Sequence, residues 1–134
     1  MGMMGLKRLI KLQALFAALS LGYLFVSAAR QLITGEPLSA AALGPSILLF
    51  LIYSTALFLP RFGKVGWYRL SMALALVPFG IGGVILNISR YLDSGLAEYS
   101  SFAAWAIAVS LNLFGTILNI IAALGFFKRG LDPK

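Results

Sequence analysis

The sequence predicts an all-α membrane protein: four transmembrane helices forming two antiparallel hairpins, with both termini in the cytoplasm. Three observations carry this reading. Of 134 residues, 60% are hydrophobic and only 11% charged, against about 25% charged in a soluble domain. The apolar residues fall into four blocks, Leu12–Ala29, Ala40–Leu59, Trp67–Ser89 and Phe102–Phe127, in which the sole charge is Arg69, a turn inside the third. Roughly 20 apolar residues rising about 1.5 Å each cross a hydrocarbon core of about 30 Å, so every block can span. Finally, the basic residues collect at alternate block ends. The whole chain, residues 1–134, therefore reads as a single four-span domain.

Taken in order, Lys7, Arg8 and Lys11 precede the first block. With Ser27-Ala28-Ala29 at its end, this stretch also fits the plan of a signal peptide; it is read as an uncleaved first span. Thr34-Gly35-Glu36-Pro37 is turn chemistry. The second span opens near Ser39, and Pro45 predicts a kink or a late helix start, because proline lacks the backbone donor and crowds the preceding turn. Pro60 to Gly66 is short enough only for a tight antiparallel connection. Trp67 and Tyr68 stand where an interfacial aromatic belt belongs. Pro78, Gly80, Gly82 and Gly83 predict a kink in the third span. Arg90-Tyr91-Leu92-Asp93-Ser94-Gly95 reads as a polar turn, Ser100 or Ser101 as the cap of the fourth span, and Phe126-Phe127 as its aromatic anchor.

Lys7, Arg8, Lys11, Arg61, Lys64, Arg69, Lys128, Arg129 and Lys134 fall on one side of the bilayer. Arg30 and Arg90 fall on the other with the acids Glu36, Asp93 and Glu98. The positive-inside rule places the first group in the cytoplasm, and a bacterial cytoplasmic membrane is the expected location. Arg30-x-Leu32-x-Thr34-Gly35 recurs as Arg90-x-Leu92-x-Ser94-Gly95, and the same interval separates Gly22 from Gly82. Two readings stand: a tandem repeat of the hairpin, or ordinary turn chemistry arising twice.

The net charge of +7 points to anionic lipid headgroups at the cytoplasmic face. It does not point to nucleic acid, which needs a basic face on a folded readout domain. The chain has no cysteine and no histidine, so thiolate chemistry and the commonest metal ligand and general base are missing. No cofactor and no enzymatic activity are expected.

The polar residues inside the spans form stripes. Trp105, Ala108, Asn112, Gly115, Thr116, Asn119, Ala122 and Ala123 recur at intervals of three and four, which is one helical face. Ser110 is a further polar candidate on the same span. Gly80, Gly83, Asn87 and Arg90 make a second stripe. Levelling Arg90 with Ser101 places Asn112 near Phe79 and Thr116 near Ala75. Thr116 or Asn119 would then donate to the Leu74 carbonyl, which Pro78 leaves without a partner. The other readings of this face are a polar path or headgroup pocket, and contact with another protein. Arg30, Glu36, Arg90, Asp93 and Glu98 make a candidate charged cluster on the outer face.

Gly82-Gly83 with Arg90-Tyr91, and Gly115-Thr116-x-x-Asn119, resemble signatures of the small four-span fluoride channels, over a small part of the chain. In that family these elements lie in the first two spans; here they lie in the last two, and no functional residue is carried over. The small multidrug exporters share size and span count but depend on a carboxylate in the first span, and Leu12–Ala29 holds none.

Short loops, abundant Gly and Ala and missing catalytic groups lead to the expectation of an accessory or scaffold subunit packing against a larger membrane protein complex. The alternative is a small homo-oligomeric channel, uniporter or lipid-handling transporter that uses the polar stripe of the fourth span.

Overall fold

A computed structural model of the chain describes residues 4–38, 43–97 and 99–128. Four of its helices are long and apolar enough to cross a membrane: Leu6–Thr34, Leu43–Phe62, Val65–Ser94 and Phe102–Leu124. The first is a single helix, α1. The second is α2 (Leu43–Ala56) followed by a 3-10 turn (Leu59–Phe62). The third joins α3 (Val65–Ala75), a π-helical segment (Leu76–Ile85) and α4 (Leu86–Ser94), and the fourth is α5 (Phe102–Leu124). Two short strands, β1 (Met4–Gly5) and β2 (Phe127–Lys128), pair in parallel beside the first and last helices.

The helices overrun the apolar blocks. Lys7, Arg8, Lys11 and Arg30 all lie within α1, because charge ends an apolar run without ending a helix, and long basic side chains can reach water from a helical backbone. For the same reason Arg90 to Ser94 is not a turn. These residues continue α4, with the Ser94 hydroxyl donating to the Arg90 carbonyl at 3.1 Å, and the chain leaves the helix only at Gly95, φ 64°. The fourth helix stops at Leu124, short of the expected Phe127, where Gly125 takes φ 76°. Pro45 sits in the first turn of the described α2, where its missing N–H removes no helical bond; Ser39 and positions 40–42 lie outside the described residues. Ser101 caps α5 by accepting from the Ala104 N–H at 3.1 Å.

The weak point at Pro78 resolves as a change of helical register. Across Leu76–Ile85 the turns widen, and the Leu86 N–H closes on Ile81, five residues back instead of four. The helix thus answers the proline through its own backbone. Thr116 and Asn119 do not serve it: the Thr116 hydroxyl is buried without a partner among the described residues, and Asn119 bonds elsewhere.

Three glycines of the last two spans are contact points. A Cβ on Gly83 would overlap Asn112, one on Gly80 would meet Thr116 at 3.4 Å, and one on Gly115 would overlap the Phe16 ring of α1. The two polar stripes therefore face each other, but Gly83, not Phe79, lies opposite Asn112, and Gly80, not Ala75, opposite Thr116. This is a slip of about one turn from the expected register, at the place where the π turns hold more residues than α turns do.

Lipid tails are as apolar as leucine, so helices in a membrane associate through such close approaches and through hydrogen bonds. Gly115→Ala, which forces a methyl group into Phe16, is expected to destabilise the protein by about 1–3 kcal/mol. Gly22→Ala adds a methyl where nothing lies within 4 Å and should be neutral or slightly stabilising, by up to about 1 kcal/mol. Unfolding of both variants in mixed micelles of increasing SDS content checks this; equal effects would refute the close approach.

Candidate functional site

Two polar regions lie inside the bundle, separated by a layer of aromatic rings. The first is buried and fully paired on its bridging residue. The Gln13 side chain of α1 is completely buried; it accepts from the Tyr68 hydroxyl and donates to Asn119 Oδ1 at 3.0 Å and to Met72 Sδ at 3.1 Å. Tyr53 donates to the same Asn119 oxygen at 2.6 Å. Gln13, Tyr53, Tyr68 and Asn119 come one from each span. Tyr68, expected in an interfacial belt beside Trp67, is therefore a core residue, and Phe127, expected as an anchor, is buried against its ring at 6.2 Å between centroids. Trp67 and Phe126 do stand exposed.

Next along the bundle lie Phe16, Phe50, Tyr53 and Phe79. Every pair among these four rings is in contact, with centroids 4.7 to 6.5 Å apart and five of the six pairs edge-on. Edge-on pairs of this kind contribute about 0.5–1.5 kcal/mol each beyond their burial. They close the space between the first three spans.

Beyond the rings opens a cavity of about 260 Å³. Its polar lining is Ser20 and Tyr23 from α1, Ser46 from α2, Asn87 and Arg90 from α4, and Asn112 from α5. Phe50 and Phe79 stand at its inner end, and Gly82 and Gly83 leave part of its wall without side chains. Asn87 organises the rim. Its amide donates to the Gly83 carbonyl at 2.8 Å, its Oδ1 accepts from the Tyr99 hydroxyl and from Arg90 Nη1 at 3.0 Å, and its carbonyl accepts from Trp105 Nε1 at 3.0 Å. Trp105 stacks on Tyr91 at 4.4 Å. One face of the Arg90 guanidinium is thereby fixed while the group remains part of the cavity wall.

The residues singled out in the sequence divide between these regions. Asn87, Arg90 and Asn112 line the cavity. Asn119 belongs to the buried cluster, Gly115 and Thr116 are packing positions between spans, and Ser110 is exposed on the outer side of α5, away from the stripe. Among the described residues Asn112 makes no hydrogen bond to another span; its amide donates to Ala108 of its own helix at 2.8 Å. Of the expected outer charged cluster, Arg30, Glu36 and Asp93 are exposed and Arg90 alone of the described members lines the cavity, while Glu98 lies outside the described residues. Arg30 and Arg90, which correspond in the repeated motif, thus occupy different environments.

Sequence reasoning missed Gln13, Ser20, Tyr53 and Tyr68. A signal for the first two was present: Leu9, Gln13, Phe16, Ser20, Leu24 and Ser27, all buried in α1, recur at spacings of three or four residues, the one-face pattern of a packed helix. Compared with models of known protein families, with curated proteins and with solved structures, the chain matches none.

If the Gln13–Asn119 bond ties α1 to α5, a double-mutant cycle of Gln13→Leu and Asn119→Leu should give a coupling of about 0.6–2 kcal/mol in detergent unfolding. The control pair Gln13→Leu and Asn112→Ala shares no bond and should be additive. A coupling of zero in the first cycle would remove Gln13 from its bridging role.

Proposed function

We propose that the protein is a small membrane transporter or lipid-handling protein that takes an anionic group into the cavity at Arg90. The composition of the wall carries this reading. A guanidinium, a carboxamide and hydroxyls from the four spans converge on one space, and no carboxylate among the described residues lines it. An arginine serving only as an interfacial anchor extends toward headgroups; Arg90 is instead held by Asn87 at the cavity wall. The scaffold reading rested on short loops, abundant Gly and Ala and missing catalytic groups, with the small-residue stripes packing against a partner. Gly80, Gly83 and Gly115 meet Thr116, Asn112 and Phe16 of the same chain, so transport or lipid handling is preferred.

The same proposal sets the spans as two antiparallel hairpins in a cytoplasmic membrane, with the cavity toward the outer face. Contact order supports it: Arg69 reaches the Ala123 carbonyl at 3.1 Å, Gly83 lies against Asn112, and Tyr91 packs on Phe102 and Trp105. Lys7, Arg8 and Lys128 lie within or beside the paired strands near this Arg69 end, whereas Arg90 lies at the other. In intact cells, Glu36→Cys should be labelled by a membrane-impermeant maleimide and Lys64→Cys only after lysis. The reverse pattern would overturn the orientation.

Trp105 reports on the cavity because it is bonded to Asn87. In a Trp67→Phe background reconstituted in zwitterionic nanodiscs, a phosphate-bearing probe, inorganic or alkyl, should change Trp105 fluorescence saturably. Arg90→Gln should weaken that binding about tenfold or more, equivalent to about 1.4 kcal/mol. Titrations unaffected by Arg90→Gln and equal for the uncharged decyl maltoside would refute the anion site.

A further inference from the structure

We infer that the ligand of this cavity is an anionic amphiphile, whose headgroup docks against Arg90 and Ser20 and whose chain leaves between α2 and the π segment into the surrounding lipid. This rests on the anion reading above and adds the chain and its route.

Ser20 supplies the first argument. Its residue is 6% exposed, it lines the cavity, and its hydroxyl has no partner among the described residues. A buried hydroxyl without a partner is unfavourable wherever water is scarce, and more so within a membrane. Ser20 stands in the wall of the space to which Arg90 offers its donors, which suits a ligand group rich in acceptors, such as a phosphate or a carboxylate. Size supplies the second argument. At about 260 Å³ the cavity falls just below the range of about 300–1,000 Å³ usual for ligand pockets. It can take a headgroup but no lipid chain, so any chain must lie outside.

The third argument is the route. α2 packs along α1 and meets the third span chiefly at α3. Phe50 and Phe79 touch at 4.7 Å between centroids and form the floor. Beyond that pair, Ser46 and Leu49 share the cavity wall with Gly82 and Gly83, and a Cβ on Gly82 would find only the Val77 carbonyl, at 3.9 Å. No side chain of Gly82 closes the seam. The two helices that bound it also carry exposed apolar residues, Leu48 on α2 and Val77, Ile81 and Ile85 on the π segment, a surface along which a hydrocarbon chain can lie. A ligand held this way keeps its charge against Arg90 and its chain in the bilayer.

The test compares decyl phosphate, inorganic phosphate and decyl maltoside on the reconstituted full chain, each measured against protein-free nanodiscs. Decyl phosphate is expected to bind about tenfold or more tighter than inorganic phosphate, and Arg90→Gln to remove about tenfold of that affinity. Ser20→Ala provides a second variant whose folding is not at risk, since it deletes an unpartnered hydroxyl. It should keep or raise the melting temperature and weaken decyl phosphate about three- to tenfold, as loss of one hydrogen bond does. Inorganic phosphate binding as tightly as decyl phosphate, with Arg90→Gln weakening both, would overturn the amphiphile and leave the anion cavity standing. Decyl maltoside competing as well as decyl phosphate, or both variants binding like the wild type, would overturn both.

Discussion

A polar side chain inside a bilayer has no water to fall back on, so its partners must come from the protein. Gln13 meets this constraint with three partners on two other spans, Tyr68, Met72 and Asn119, and Asn119 in turn holds Tyr53 of the remaining span. The consequence is positional. With α1, α2, α3 and α5 pinned at one level, Phe16 and Tyr53 fall next to each other, and the ring layer is assembled directly beyond the polar cluster. Each hydrogen bond contributes little, about 0.6 kcal/mol on average between membrane helices. Yet an alternative register would bury several of these groups unpaired, at about 1–3 kcal/mol each, and that asymmetry selects one arrangement.

The third span is built differently from the others because it carries the proline. Pro78 interrupts the α register, and the glycines that follow lower the resistance of the backbone to widening. The π turns that result place Phe79 in the ring layer, and glycine-bare wall beside it. The cavity exists because two consequences of one local defect coincide. A wide turn moves the helix axis, and Gly82 supplies no side chain to refill the space. π-helical turns are rare and concentrate at functional sites, which agrees with the placement of Asn87 and Arg90 on the helix that emerges from this one.

How much of this was legible in the sequence depends on whether a feature is additive along the chain. Span number and position were legible because hydropathy sums over about 20 residues and tolerates local error. The facing of Gly80 and Gly83 toward Thr116 and Asn112 was legible through three- and four-residue spacing. Helix ends were less so: Arg90 to Ser94 looked like a turn because charge and polarity stood in for breaking, whereas only Gly95 has the backbone freedom that ends the helix. The buried cluster was the least accessible. A lone Gln13 in an apolar run, or Tyr68 next to Trp67, does not reveal which distant residue satisfies it; Gln13 and Asn119 meet across the whole length of the chain. An interfacial tyrosine and a core tyrosine have the same composition and differ only in the partner.

The contrast between the two polar regions bears on what the cavity is for. Where polarity serves packing alone, the chain pairs it: Gln13, Tyr53 and Tyr68 have no unpartnered side-chain atom among the described residues, although the Asn119 amide nitrogen does. At the cavity the unpartnered atom among the described residues is instead a hydroxyl in the same wall as a charged group. Asn87 uses its oxygen to hold Arg90 in place without neutralising it, and the buried Ser20 hydroxyl has no partner among the described residues. Thr116, the other unpartnered hydroxyl, is pressed against Gly80 and does not line the cavity, so burial alone does not single out Ser20. What does is its convergence with a guanidinium on one space, without a carboxylate on the described wall. A guanidinium held at that wall by a carboxamide keeps further N–H donors to offer, which is the chemistry the proposed anion would meet.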